Sequence, residues 1–228
     1  MMVRHKFDRS LLPERPNLEF EHVLWKKGFR FVAGVDEAGR GALAGPVAVG
    51  AVVLPCDVAD LLEQLDGVRD SKVMNPSDRA YWAEVVKEVA VAWRVGFASS
   101  DEIDQLGILP ATCLAAERAI ASLQCSLEHL LVDYINLPDV DLPQTPLIKG
   151  DARSLSIAAA SILAKTNRDA LLVELDETYP GYLFAKNKGY GTPEHRHAID
   201  RLGPCDQHRK TFSPISDYFS LFPPEVKE

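Results

Sequence analysis

The chain has 228 residues, 46 % hydrophobic and 25 % charged, values typical of a globular domain with a substantial core. A net charge of −8 and a pI near 5.3 argue against nonspecific coating of nucleic acid by charge alone. The four cysteines form no C-x-x-C pair, which argues against a zinc site or a disulfide framework, so we expect reduced thiols in a cytoplasmic protein. The charged, proline-broken N-terminus is not typical of a signal peptide, and the longest uncharged run, residues 41–56, is too short to span a bilayer.

Hydrophobic periodicity and capping residues predict strands and helices that together form an α/β domain. The predicted elements before residue 100 are a short helix over 18–27, strands over 31–35 and 47–54, a helical or irregular stretch over 57–65, a helix capped by Ser77 or Asp78 and ending near Glu88, and a strand over 89–98. After residue 100 they are a capped helical turn over 101–106, a helix over 110–123, a strand over 129–133, a loop over 139–146, and a helix from Ser154 to about Glu177.

Three apolar segments of the chain end in carboxylates. Asp36 and Glu37 follow the first predicted strand, Asp133 ends a later one, and Asp151 comes just after a short apolar segment. Strand ends at one edge of an α/β sheet are where sites are built, and converging carboxylates need cations to neutralise them. The sequence therefore predicts a divalent-metal site, with two ions bridged by a carboxylate and oxygen ligands that favour Mg²⁺ or Mn²⁺. For Asp133 or Asp151 taken alone, a helix cap or a loop hydrogen bond is the alternative.

Positive charge is concentrated late in the chain. Residues 186–210 contain six Lys or Arg against three Asp or Glu, a net charge of +3, so the remainder carries −11. This segment is a candidate surface for nucleic acid, and a solvated helix with unrelated charges is the alternative. The loop Asp70-Ser71-Lys72 presents a lysine that either contacts phosphate or is merely solvated.

The chain resembles the ribonuclease HII family from about Glu19 to Ile215. The likeness rests on six ordered blocks, which together are far more specific than any one of them. The blocks are D-E-A-G-R-G at 36–41; D-S-K at 70–72; E-I-D at 102–104 with I-L-P-A-T at 108–112; V-D at 132–133 and K-G-D at 149–151; the helix segment 156–169; and K-G-Y-G-T at 188–192 with His208-Arg209 and Phe212. The chain departs from the family pattern at three places: Asn187 stands where His is usual, Tyr134 where Gly is usual, and the stretch 73–75 differs in composition.

The resemblance implies a ribonuclease H-like α/β fold, with a central mixed five-stranded sheet flanked by helices and a C-terminal helical extension. The implied division is a leader and short helix over 1–27, a catalytic domain over 28–180 and a substrate-binding extension over 181–228.

The resemblance also implies an endonuclease that hydrolyses the RNA strand of RNA–DNA hybrids. It would cut 5′ of single ribonucleotides embedded in duplex DNA, leaving 3′-hydroxyl and 5′-phosphate ends. By this likeness Asp36, Glu37 and Asp133 hold two Mg²⁺ or Mn²⁺ ions, and Asp151 completes the catalytic set. The implied partners are hybrid and ribonucleotide-containing duplexes, the implied processes are ribonucleotide excision repair and DNA replication, and we expect a monomer that contacts no membrane.

Substrate contacts follow from the same likeness. The turn Gly39-Arg40-Gly41 resembles a reader of the 2′-hydroxyl, which distinguishes RNA from DNA. Tyr190 resembles an aromatic that packs on the sugar, with a half-buried core tyrosine as the alternative. We expect Lys165 and Asp169, one turn apart on a helix, to form a structural pair. The candidate phosphate contacts are Lys72, Lys149, Lys165 and Lys188.

Two other functions compete with this interpretation. A different metal-dependent nuclease or strand-transferase could use the same fold, because fold alone does not fix function. A non-catalytic duplex-binding protein is the second, although four acids in a groove repel phosphate unless metal is present. The sequence leaves open the preferred metal, the ranking of long hybrids against single ribonucleotides, and partners such as a sliding clamp.

Overall fold

A five-stranded mixed sheet forms the centre of the protein in this computed structural model, which describes residues 7–8 and 12–221. The strands lie in the order β3-β2-β1-β4-β5, which confirms the predicted mixed sheet flanked by helices. They are β1 Val32–Ala38, β2 Val47–Val53, β3 Ala92–Ala98, β4 His129–Asp133 and β5 Gln144–Leu147.

Helices cover both faces of the sheet and form the C-terminal part of the described chain. They are α1 Glu19–Lys26, α2 Leu61–Gln64, α3 Pro76–Val89, α4 Ser100–Leu106, α5 Ile108–Ala121, α6 Leu155–Thr178, α7 Phe184–Asn187, α8 Pro193–Leu202 and α9 Ile215–Leu221, with a 3₁₀ helix over Gly150–Ala152. Within the described residues, no helix is both long enough and apolar enough to cross a bilayer.

The central strand β1 determines which carboxylates meet. It pairs antiparallel with β2 and parallel with β4, with Val35 opposite Val132. Because parallel strands end at the same edge, this register brings the next residues, Asp36 and Asp133, side by side. The strand β5 is also parallel to β4, with Leu147 opposite Asp133, and it leads directly into the 3₁₀ helix that carries Asp151.

The core lies on both faces of the sheet. Alanines of α5 pack on one face, and the Ala158–Ser161 stretch of α6 is fully buried on the other. The approach of α6 is very close, because a Cβ built on Gly50 would lie 2.3 Å from the Ala160 carbonyl oxygen. The small residues of α6 therefore allow this helix to pack closely on the sheet.

Two helix starts differ from the prediction. Helix α3 is capped by Asn75, whose side chain accepts a hydrogen bond from the Asp78 N–H, so the predicted caps Ser77 and Asp78 are wrong. Pro76 then occupies the favoured first helical position. Helix α5 begins at Ile108, so Pro110 is its third residue rather than its first. Proline is tolerated there because amides of the first turn have no intrahelical partner.

Strand boundaries differ from the prediction at three places. Strand β5 begins at Gln144, inside the stretch predicted as a loop over 139–146. Its proline is tolerated because β5 lies at the edge of the sheet, where one side of the strand is unpaired. Strand β3 begins at Ala92, because α3 continues through Val89. Strand β1 continues through Asp36 and Glu37, so these acids lie within the strand rather than after it.

The predicted leader falls partly outside the described residues, which omit 1–6 and 9–11. Where it is described, Asn17 pairs with the start of α6 through an isolated bridge to Ser154. Glu21 of α1 strengthens this attachment, because its buried carboxylate accepts hydrogen bonds from the side chains of Ser154 and Ser156. Helix α1 is thus anchored to the start of α6.

Candidate active site

Three carboxylates converge at the edge of the sheet where β1 and β4 end. Asp36, Asp133 and Asp151 each offer a ligand oxygen, and these oxygens lie within 4.8 Å of one another. Asp36 and Asp151 are buried, at 2 % and 1 % exposure. The Asp133 Oδ1 accepts a 2.7 Å hydrogen bond from the Gly150 N–H, which ties the 3₁₀ helix, and with it Asp151, to the end of β4.

Crowding and burial disfavour the ionised form of these carboxylates. Burial, together with the charges of Glu37 and Asp133, raises the pKa of Asp36 well above its ordinary value. Burial and the Asp151 charge raise the pKa of Asp133 to about 6. Each shift shows that the ionised form lacks adequate neutralisation in the protein alone. A bound divalent cation would supply that neutralisation.

Two oxygens of the cluster have no hydrogen-bond partner in the part of the chain that the structure describes. Among the described residues, no hydrogen bond satisfies the buried oxygens Asp36 Oδ2 and Asp151 Oδ1. Buried polar atoms are nearly always paired, so an unpaired oxygen in each of two adjacent carboxylates needs a specific explanation. Ligation of a hard cation explains both, since Mg²⁺ and Mn²⁺ prefer carboxylate oxygens. The residues present therefore fit the predicted metal.

Cations border the acids in a cleft of about 240 Å³. The Lys72 ammonium lies 3.1 Å from Asp151 Oδ2, and its side chain is 67 % exposed. Partial burial opposes the shift, but the charges of Asp36 and Asp151 raise the pKa of Lys72 above its ordinary value. Lys72 is therefore a charged group with freedom to turn toward an incoming phosphate. The cleft is lined by Glu37, Arg40, Lys72, Asp133, Tyr134, Ile148, Lys149 and Asp151.

Glu37 stands apart from the three clustered acids. Its carboxylate accepts from the Arg40 guanidinium at 3.2 Å. Its oxygens therefore face the cleft beside the cluster, with the G-R-G turn as their immediate neighbour. Glu37, the remaining predicted acid, thus lies in the same cleft, but its carboxylate is paired with Arg40.

The remaining predicted contacts lie farther along the chain. The Lys165 ammonium lies 2.6 Å from Asp169 Oδ1, in the side-chain pair expected between them. Lys188 donates to the Ala185 carbonyl, so its ammonium faces its own short helix. Neither lysine lines the acidic cleft. Tyr190 is 36 % exposed, and the Arg168 guanidinium lies 5.5 Å from the centre of its ring.

The sequence did not predict a role for two arginines that are buried in the structure. Arg168 and Arg209 have 0 % exposure, and no carboxylate among the described residues forms an ion pair with either. All their hydrogen bonds go to backbone carbonyls of the loops around residues 39–46 and 188. A signal existed for Arg168, since it is the charged member of an apolar helix face that includes Ala164 and Leu172.

A cluster of carboxylates beside exposed cations at the ends of parallel strands is the arrangement of enzymes that hydrolyse phosphodiesters with divalent metal. A family model described as Ribonuclease HII matches residues 33–214. The chain is 53 % identical over 203 residues to Ribonuclease HII of Synechococcus sp. (strain JA-3-3Ab), covering 89 % of this chain and 90 % of that one. It is 51 % identical to a Ribonuclease HII of Thermus thermophilus, covering 89 % of this chain and 96 % of that one.

Solved structures agree with this match. The crystal structure of ribonuclease H2 from Pyrococcus horikoshii superimposes with a TM-score of 0.67 at 26 % identity, covering 84 % of this chain and 98 % of that one. The chain therefore belongs to the ribonuclease HII family. It is a metal-dependent endoribonuclease with ribonuclease H activity on RNA–DNA hybrids.

Proposed function

We propose that this enzyme, besides cutting the RNA strand of hybrids, cuts 5′ of single ribonucleotides embedded in duplex DNA and leaves 3′-hydroxyl and 5′-phosphate ends. The observation that carries the proposal is the position of the G-R-G turn. It directly follows β1, the strand that holds Asp36 and Glu37, and Arg40 contacts Glu37 at 3.2 Å. The turn that recognises the ribose therefore directly follows the strand whose acids act on the adjacent phosphate.

The four acids divide the catalytic work. Asp36, Asp133 and Asp151 converge closely enough to hold metal, and Glu37 joins them from the side of Arg40. Two Mg²⁺ or Mn²⁺ ions held by these acids would supply an activated water for in-line attack and charge stabilisation for the leaving 3′ oxygen. The hydrogen bond from Gly150 to Asp133 holds that carboxylate in a fixed orientation toward its neighbours. The described residues that line the cleft include no Ser, Cys or His, so water is the proposed nucleophile.

The cations of the cleft position the phosphate backbone. Arg40, Lys72 and Lys149 line the same cleft as the acids and provide charge-assisted donors for phosphate oxygens. Lys165 contributes positive charge beside Tyr190 rather than in the cleft, and Lys188 also lies outside the cleft lining, with its ammonium on the Ala185 carbonyl. Such contacts orient a duplex but carry no sequence information. We expect cleavage to depend on the sugar and on duplex shape, with little base preference.

Tyr190 packs on the sugar at the junction of RNA and DNA. Its ring is partly exposed, and the Lys165 ammonium and Arg168 guanidinium lie 5.4 and 5.5 Å from its centre. Cations at this distance stabilise the ring in one orientation. Its loop also contacts the chain just beyond the G-R-G turn, because the Leu43 N–H donates to the Gly189 carbonyl at 2.8 Å. Both sugar readers therefore belong to one connected surface.

The proposed division of the chain and the proposed cellular role follow from the same substrate surface. We propose that residues 28–180 form the catalytic domain and that 181–228 extend the substrate surface, with 1–27 as a leader and short helix. A monomeric cytoplasmic enzyme with this selectivity would remove ribonucleotides left in DNA by replication, the first step of ribonucleotide excision repair.

Cleavage of an end-labelled DNA duplex containing one ribonucleotide tests this proposal. Wild type and Asp133→Asn are compared with Mg²⁺, Mn²⁺ or EDTA, and an all-DNA duplex is the substrate control. We expect a single cut 5′ of the ribonucleotide that requires metal and falls by at least about a hundredfold in Asp133→Asn. Asp141→Asn, an exposed carboxylate in the loop that precedes β5, is the matched variant and should cleave like wild type.

Two outcomes would overturn the proposal. Cleavage of hybrids without cleavage at a single ribonucleotide would limit the enzyme to runs of RNA. Metal-independent binding of the duplex without any cut, in both wild type and Asp133→Asn, would favour the non-catalytic duplex-binding alternative.

A further inference from the structure

Arg209 is buried directly beneath the G-R-G turn. Its Nη2 donates to the Gly39 carbonyl at 2.8 Å, and its Nη1 donates to the Arg40 carbonyl at 2.8 Å. Its Nε and Nη2 also donate to the Gly45 carbonyl, at 3.0 and 2.9 Å. One guanidinium thus holds both ends of the loop that links β1 to β2.

The backbone on either side of Arg209 is fixed independently. The segment 207–209 lies against 43–45, because the Gly45 N–H donates to the Gln207 carbonyl and the Arg209 N–H donates to the Leu43 carbonyl. The next residue is held by Asp104, whose carboxylate accepts from the Lys210 N–H at 2.8 Å. Arg209 therefore projects from a rigid base, and its guanidinium can impose an orientation on the turn.

The geometry of the trans peptide bond determines the direction in which the N–H groups of the turn point. The carbonyl and the N–H of one peptide group point in opposite directions. The Gly39 carbonyl shares its peptide group with the Arg40 N–H, and the Arg40 carbonyl shares one with the Gly41 N–H. Because Arg209 draws both carbonyls inward, both N–H groups point away from the buried guanidinium.

The outward side of the turn is open. Gly41 is exposed, and a Cβ built on it would lie more than 4 Å from every atom of the described residues outside the turn. Among the described residues, no hydrogen bond uses the N–H of Arg40 or of Gly41. Two adjacent N–H groups beside the acids can donate hydrogen bonds to a hydroxyl oxygen of the nucleic acid.

We propose that Arg209 is a positioning residue for ribose selection: by binding the Gly39 and Arg40 carbonyls it aims the N–H groups of Arg40 and Gly41 at the 2′-hydroxyl. This inference rests on the proposed function, which assigns sugar recognition to the turn. Arg209 itself does not reach the nucleic acid, since it has 0 % exposure. Its charge has no carboxylate partner among the described residues, so its role is to orient carbonyls rather than to complete an ion pair.

Relative binding of two duplexes tests the inference. Dissociation constants are measured with Ca²⁺ for a duplex with one ribonucleotide and for the same duplex in all-DNA form, and the duplexes are checked for integrity afterwards. We expect Arg209→Lys, which keeps the charge but has too few fixed donors for three carbonyls, to lower the preference for the ribonucleotide on the order of tenfold. Arg209→Gln should lower it at least as much.

Val86→Ala is the matched control for a loss of stability. Val86 is buried on α3, in the core cluster on the α6 face of the sheet. Its truncation removes buried contacts without touching the turn, so the preference for the ribonucleotide should equal that of wild type. A purely structural role for Arg209 would make its variants behave like Val86→Ala.

A second measurement uses wild type alone, so it does not depend on whether the variants fold. Hydrogen exchange at the amides of Arg40 and Gly41 should slow when the ribonucleotide duplex binds and stay fast with the all-DNA duplex. Absence of that difference, in a wild type that does prefer the ribonucleotide, would overturn the inference, as would an unchanged preference in folded Arg209→Lys and Arg209→Gln. No preference in wild type would instead overturn the proposed function.

Discussion

At the scale of single residues, the two glycines of the G-R-G turn are required for different reasons. Gly39 has φ +91°, and a Cβ there would lie 2.0 Å from Arg168 Nε. Gly41 has neither constraint, because its surroundings are open. The fold therefore requires glycine at position 39, whereas at position 41 the proposed close approach of a ribose requires it.

Alanine at each glycine separates stability from function. Gly39→Ala should lower the free energy of unfolding by about 2 kcal/mol, because it combines strained backbone with a collision against a buried arginine. Gly41→Ala should change it by less than about 0.5 kcal/mol. Cleavage at a single ribonucleotide should nevertheless fall on the order of tenfold in Gly41→Ala, because the methyl group obstructs the sugar. Urea denaturation and steady-state cleavage measure the two effects, and a fully active Gly41→Ala would argue against sugar recognition by this turn.

The departures from the family pattern are also explained residue by residue. Asn187 is buried and bridges the Tyr182 carbonyl and the Gly189 N–H at 2.7 and 2.8 Å, so it shapes the loop before Tyr190. Tyr134 adopts φ +65°, a conformation in which glycine is favoured, and its side chain is 70 % exposed at the rim of the cleft. Asn75, in the third divergent stretch, caps α3.

At the scale of elements, the contact between α6 and the sheet fixes the floor of the site. Gly34 of β1 and Gly50 of β2 face the α6 backbone, and a Cβ on either would lie within 2.4 Å of it. On the opposite face Gly96 of β3 allows the same approach by α5. Close packing of this kind holds β1, and therefore Asp36, at a fixed depth beneath the cleft.

Gly50→Ala should displace α6 from the sheet. The new methyl group would lie 2.3 Å from a backbone carbonyl that cannot rotate away, so we expect a loss of about 3 kcal/mol in the free energy of unfolding. Chemical denaturation followed by circular dichroism gives the value. Gly41→Ala, in open space, is the matched glycine substitution, and equal stability of the two variants would contradict this account of the packing.

At the scale of the whole molecule, the acid cluster links stability to pH and to metal. The folded-state pKa of Asp133 is about 6, against 3.8 for the ordinary carboxyl. Below pH 3.8 both folded and unfolded chains hold the proton, and as pH rises to about 6 only the unfolded chain releases it readily. The metal-free protein therefore loses stability from this group as pH rises through that window, and the full penalty applies above it.

The buried His208 changes stability in the opposite direction over a similar pH range. Burial, and secondarily the neighbouring His195, lowers the pKa of His208 to about 4. Its contribution to stability is present above the ordinary pKa of 6.5 and is lost as pH falls toward 4. A pH profile of wild type alone would mix the two groups, so a difference between variants is needed to isolate Asp133.

Asp133→Asn should stabilise the metal-free protein while abolishing cleavage. With EDTA at pH 7 the variant should exceed wild type by about 2 kcal/mol in the free energy of unfolding, and the difference should vanish near pH 4, where His208 affects both proteins alike. Saturating Mg²⁺ should remove or reverse the difference, because metal binds wild type better and stabilises it. Urea titrations at the two pH values measure this, and equal stability at pH 7 in EDTA would contradict the electrostatic description of the cluster.

The sequence by itself predicted most elements from α1 to α6, because apolar periodicity and glycine or proline boundaries act locally. The short helices α7, α8 and α9 were not predicted individually. The sequence also placed acids at the ends of the first predicted strand and of β4. Strand β4 was predicted with its observed bounds, whereas β1 continues through Asp36 and Glu37. The sequence missed β5 and the Asn75 cap, where a neighbouring strand or a side-chain hydrogen bond decides between equally acceptable local conformations.

Only the tertiary structure determined which carboxylates converge. The parallel pairing of β1 with β4 brings Asp36 beside Asp133, and the hydrogen bond to Gly150 adds Asp151. It also decided that Glu37 pairs with Arg40 outside that cluster, and that Arg168 and Arg209 bind loop carbonyls. The arginine contacts to the loop over 39–46 join residues more than a hundred positions apart. Long-range pairing of this kind depends on how the sheet and helices pack rather than on any local pattern.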